Sequence, residues 1–109
     1  MSKAEALVDP APVFAALGDR TRLSLLLRLS DGRARSITTL SMATNLTRQA
    51  VTKHLRVLED VGLVAVSRVG RESLFASRPE ALAEARSYLE TVSAQWDENL
   101  TRLRSLVED

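Results

Sequence analysis

Between Thr47 and Ser77 the apolar residues change their spacing once, and that change limits what the chain can fold into. From Arg48 to Val61 they keep helical time: at about 100° per residue, Ala50, Val51, Leu55, Val57, Leu58 and Val61 share one arc. Gln49, Thr52, Lys53 and Arg56 lie opposite, with Arg48 at the margin. Thr47 suits the capping position before this helix and Gly62 the position just past its end. Beyond Gly62 the period becomes two. Residues 63–67 read as a strand, Val69-Gly70-Arg71 as a tight turn and residues 72–77 as the returning strand.

The flanking segments are helical. Pro10 and Pro12 open a short stretch carrying Val13, Phe14 and Leu17, which Gly18 ends. Asp19 caps a helix reaching about Ser30, with Leu23, Leu26, Leu27 and Ser30 at helical spacing. After a basic loop, Ile37 is expected in a brief extended segment. Thr38 or Thr39 then caps a short helix with Leu40 and Ala43, and Thr44-Asn45-Leu46 turns the chain into the helix at Arg48. Ser77 and Glu80 have capping-box spacing, and the last helix, roughly 28 residues and about 42 Å long, follows them. The expected fold is mainly α with a small β-hairpin: a flexible N-terminus (1–9) and one domain (10–109) holding a helix-turn-helix (38–61), a hairpin (63–77) and a final helix (79–108).

Composition narrows the function. A chain of 109 residues, 45% of them hydrophobic, suits one modest core. Without cysteine, disulfides, thiolate metal sites and thiol switches are excluded. No apolar run spans a membrane and the first residues lack a signal-peptide core, so a cytoplasmic protein is expected. The net charge of +1 hides an asymmetry: residues 1–79 carry 12 Lys and Arg against 7 Asp and Glu, whereas residues 80–109 carry 3 against 7. A basic body with an acidic tail fits a polyanionic partner on one part only.

Two helices joined by a short turn, the second with a charged outer face, form a helix-turn-helix, and a helix fills the DNA major groove. Arg48, Gln49, Thr52 and Lys53, near the helix N-terminus, are placed to reach base edges. Gln pairs with adenine, Arg and Lys with guanine, and Thr offers a methyl and a hydroxyl. Arg56 continues this face. Arg68 and Arg71 flank Gly70 at a hairpin tip that can follow the phosphate backbone. His54, the only histidine, falls toward the apolar arc; packing explains it, with a phosphate contact from the groove margin as the alternative.

On the last helix Leu82, Ala85, Leu89, Val92, Trp96, Leu100, Leu103 and Val107 repeat at steps of three and four, close to a coiled-coil seam. A body of about 80 residues cannot cover so long a stripe, so part of it packs on a partner chain, with Trp96 as an anchor. Two recognition helices related by a two-fold axis would read half-sites about 34 Å apart, on a near-palindromic operator.

Residues 14–23, Phe-Ala-Ala-Leu-Gly-Asp-Arg-Thr-Arg-Leu, resemble the opening of bacterial ArsR/SmtB-type repressors. So do residues 47–59, Thr-Arg-Gln-Ala-Val-Thr-Lys-His-Leu-Arg-Val-Leu-Glu, with Gly62-Leu63-Val64 after them. The resemblance covers roughly residues 12–100. It implies a dimeric winged helix-turn-helix with the first and last helices at the dimer interface and the fourth in the groove. Val13, Phe14 and Leu17 would then meet a partner together with Leu82, Leu89, Val92, Trp96, Leu100 and Leu103, and Arg68 and Arg71 would form the wing. Many such repressors sense metals through Cys or His ligands. The segment 38–44 has neither, and the last helix carries carboxylates but no histidine, so no zinc, cadmium or arsenic site and no cofactor is expected, while a hard-cation site of carboxylates alone stays open with nothing specific in its favour. The sequence indicates no effector. One His, no Cys and no phosphate-binding glycine loop argue against an enzyme. The rival reading is a winged helix that serves protein interaction and binds no specific DNA.

Overall fold

A computed structural model describes residues 9–108. Residues 1–8 of the expected flexible N-terminus lie outside them. Eight elements follow one another: α1 (Ala11–Leu17), α2 (Arg20–Arg28), β1 (Arg35–Ser36), α3 (Ile37–Thr44), α4 (Arg48–Asp60), β2 (Val64–Val69), β3 (Glu72–Ser77) and α5 (Pro79–Glu108). The strands form one antiparallel sheet of order β1-β3-β2. In it Val64 faces Ser77, Val69 faces Glu72, and Ser36 faces Leu74.

The sequence Gly18-Asp19-Arg20-Thr21-Arg22 is a double cap. Asp19 is the N-cap of α2, its Oδ2 accepting from the Arg22 N–H at 3.0 Å. The Arg22 side chain turns back, Nε donating to the Ala16 carbonyl at 2.9 Å and Nη2 to that of Ala15 at 3.3 Å. The side chains of Asp19 and Arg22 thus satisfy one orphan amide at the start of α2 and two carbonyls at the end of α1. This locks α1 against α2. Gly18 keeps a negative φ of −77°, so the helix stops there because of the caps and not because of a left-handed glycine.

Leu25, Leu29, Leu40, Val51, Leu55 and Leu58 are fully buried, and Leu63, Val64, Phe75, Ala16 and Ala85 close the core around them. Several sequence expectations change here. The buried face of α2 is Leu25, Leu26 and Leu29, while Leu23 and Leu27 are exposed. The leucines spread over an arc of about 200° at 100° per residue, wider than one buried stripe, so spacing alone does not choose which part of it faces inward. The exposed pair lines an apolar groove of about 320 Å³ with Leu17, Leu63, Pro79 and Leu82. Ile37 opens α3 instead of lying in an extended segment. The cap is Ser36, whose Oγ accepts from the Thr39 N–H at 3.1 Å, because pairing of Arg35 and Ser36 with β3 holds Ser36 extended. Ala43 is exposed. Ser77 stays paired in β3 and Pro79 opens α5, so the Ser77–Glu80 capping box does not form.

Helix α5, about 45 Å long at 1.5 Å per residue, leaves the body after its first turns. Ala85 is its one buried residue, and Tyr88 touches Phe14 of α1 with ring centroids 6.1 Å apart. The radius of gyration is 18.5 Å, against about 13 Å for a compact chain of this length. Most of the apolar seam, from Leu89 through Trp96, Leu100 and Leu103 to Val107, is therefore exposed among the described residues.

Candidate nucleic-acid interface

The helix-turn-helix depends on small polar caps. Asn45 takes the left-handed conformation (φ 59°) after α3, a position Asn tolerates better than most residues. Ser41 Oγ donates to the Leu46 carbonyl inside this turn. Thr47 then caps α4, its Oγ1 accepting from the Ala50 N–H at 3.0 Å. These bonds fix the angle at which α4 leaves α3. Val51, Leu55 and Leu58 fill the core from one side of α4, and Ala50, Val57 and Val61 half-bury beside them.

The opposite side of α4 is a shallow, open concavity lined by Arg48, Gln49, Thr52, Lys53 and Arg56. Arg48, Gln49, Lys53 and Arg56 are exposed, and among the described residues none of these three cations forms an ion pair. Thr52 differs: it is half-buried and its Oγ1 donates to the Arg48 carbonyl at 2.8 Å, which commits the hydroxyl proton and leaves the methyl and the oxygen's acceptor capacity. In the hairpin the two-residue turn is Gly70-Arg71, with a positive φ (63°) at Gly70 alone, as a type II′ turn requires at its first central position. Arg68 and Arg71 are exposed and unpaired among the described residues.

His54 leaves this face. Its Nδ1 is buried without a hydrogen bond and lies 3.9 Å from Asp19 Oδ2. The Arg22 amide, then the nearby Arg22 and His54 charges, hold the Asp19 carboxyl below its ordinary value. Asp19 thus caps α2 and faces the middle of α4 at once. Sequence reading found the cap but not the second role, which only the packing of α2 on α4 creates. Of the residues assigned to a partner contact, Val13 lies in the chain's own core, Phe14, Leu17 and Val92 are half-buried, and Leu82, Leu89, Trp96, Leu100 and Leu103 are 45 to 61% exposed. Tyr88 and Leu106, also exposed, extend that surface.

Comparison with known proteins agrees with this architecture. A helix-turn-helix domain family matches residues 17–67. An uncharacterized HTH-type transcriptional regulator of Bacillus subtilis, YuzN, is 38% identical over 76 residues, 64% of this chain and 83% of its own. The structure of an ArsR-like transcriptional regulator from a Rhodococcus species superposes with a TM-score of 0.79 at 36% identity, over 89% of this chain and 91% of that one. The chain belongs to the ArsR family. A further ArsR-type relative is the homodimeric winged helix-turn-helix DNA-binding domain of a possible regulator from Mycobacterium bovis, at TM-score 0.65 and 26% identity over 87% of this chain and 88% of that one. This ArsR-family protein is accordingly a DNA-binding transcriptional regulator and not an enzyme. Among the described residues no helix is long and apolar enough to cross a membrane.

Proposed function

We propose that this regulator is a cytoplasmic homodimeric repressor that binds a near-palindromic operator, with α4 of each copy in the major groove. The observation that carries the reading is the outer face of α4: Arg48, Gln49, Lys53 and Arg56 stand exposed and, among the described residues, without ion pairs, on a helix whose other face packs into the core. Gln49 suits adenine, Lys53 and Arg56 suit guanine, and the Thr52 methyl suits that of thymine. Arg68 and Arg71 add phosphate contacts from the hairpin. His54 is assigned to the contact between α2 and α4 and not to DNA.

Self-association rests on the uncovered seam of α5 with Phe14 and Leu17 beside it, and the homodimeric M. bovis relative supports it. A dimer bound across a promoter blocks access to that DNA, which is the basis for proposing repression.

The test is salt-dependent binding to DNA from upstream of the protein's own gene, against random DNA of equal length. Preference of about a thousandfold with a steep salt slope supports a specific regulator. Equal, weak binding to both contradicts this choice of operator, and no binding at low salt favours an interaction module.

A further inference from the structure

A second, smaller cleft lies where three parts of the fold converge: the first turn of α3, the first residue of α4 and the hairpin turn. Ser36, Thr38, Arg48, Arg71, Glu72 and Ser73 line it. Its volume is about 150 Å³, well under the roughly 300–1,000 Å³ of pockets that hold drug-sized ligands. A small-molecule effector does not fit there; a single phosphate group does.

The donors suit that group. Arg48 and Arg71 bring two guanidiniums that have no carboxylate partner among the described residues. Thr38 and Ser73 bring hydroxyls. Helix geometry leaves the first amides of α3 without a carbonyl one turn back. Ser36 Oγ occupies the Thr39 N–H, so those of Ile37 and Thr38 are the ones that geometry leaves to the cleft. Guanidinium pairs, hydroxyls and a helix N-terminus together are donor chemistry for a tetrahedral oxyanion. Glu72 is the single opposing charge. Arg48 lines this cleft and the concavity on α4 alike, so the two adjoin, and an anion here would sit at the edge of the groove-facing surface.

We propose that the cleft seats one backbone phosphodiester of the DNA in each half-site, held by Arg48 and Arg71 with Thr38 and Ser73 completing the shell. The proposal rests on the DNA-binding reading above and sharpens it. Arg48 becomes a residue that fixes the register of α4, leaving base discrimination to Gln49, Lys53 and Arg56. Glu72 weakens the seat and keeps binding from becoming indiscriminate.

The experiment uses the full chain and a duplex selected from a random pool, with single neutral methylphosphonates walked along each strand. Wild type is expected to lose about tenfold in affinity at one phosphate per half-site, and in Arg71→Gln that position falls silent, to within about twofold. Glu72→Gln tightens binding at low salt by a few-fold, while Thr38→Ala weakens it. Arg48→Gln weakens specific and random duplexes alike, as loss of a phosphate contact does. Circular dichroism checks that these exposed variants keep their fold. If Arg71→Gln stays as sensitive as wild type at every position, or if Arg48→Gln loses preference while random-DNA affinity holds, the seat is wrong and the groove reading stands. Failure of the wild type to bind any duplex overturns both.

Discussion

In α4 the apolar face packs on the chain's own core and the polar face carries cations with no partner among the described residues; in α5 most of the apolar face is exposed and two ion pairs form along the helix itself. Arg86–Glu90 and Arg104–Glu108 are i,i+4 ion pairs on α5, at 3.3 and 3.5 Å. On α4 the three cations stand free among the described residues. Exposed pairs of this kind contribute little to stability, so the difference bears on function: each helix leaves unsatisfied the groups that another molecule must satisfy. For α4 that molecule is a polyanion and for α5 an apolar surface.

The comparison breaks most visibly in the core. Leu55→Ala on α4 should destabilise folding by about 2–5 kcal/mol, whereas Leu100→Ala on α5 should leave the unfolding midpoint of the dilute chain nearly unchanged; denaturant melts measure both. A midpoint that falls equally for Leu100→Ala would mean that the seam is covered within its own chain. Next in size, Leu89→Glu with Leu100→Glu should shift the protein from dimer to monomer in sedimentation. Operator affinity should then fall by roughly a hundredfold, since the two half-sites no longer bind as one. Unchanged sedimentation would remove α5 from the interface.

Smaller effects sharpen the account of α4. Thr47→Ala removes its cap and should cost about 1 kcal/mol, read from the same melts. Lys53→Gln should change sequence preference and leave the slope of log affinity against log salt intact, as loss of a base reader does. A slope lower by about 0.9 with preference unchanged would make Lys53 a phosphate contact instead. Acid offers a further check. The Arg22 amide depresses the Asp19 carboxyl and the Arg35 guanidinium depresses that of Asp31 further, both from an ordinary 3.8. Groups lowered on folding contribute stability that is complete above that value and lost as pH falls through their folded values. Stability should therefore decline below about pH 4, and Asp19→Asn and Asp31→Asn should each flatten that decline.

How much of this the sequence disclosed depends on how local each cause is. Helix α4 was legible because its apolar and polar residues separate cleanly and Thr47 and Gly62 mark its ends. The hairpin was legible from Gly70. Strand β1 is two residues long and exists only by pairing with β3, so no period announces it. The inner face of α2 was hidden because its leucines spread over an arc wider than one buried stripe. In the candidate site, the exposure of Gln49, Lys53 and Arg56 follows from the wheel. The Thr52 bond to the Arg48 carbonyl is a choice of rotamer that no pattern of residues announces, and the Asp19–His54 approach and the cleft beside Arg71 need elements far apart in sequence to meet.

The central claim is that two copies joined through α5 present two α4 helices to one duplex. Selection of bound duplexes from a random pool, followed by footprinting of the winner, tests it most directly. The account predicts an inverted repeat with two protected patches about one helical turn apart. Enrichment of a single unrepeated site with one patch would contradict it.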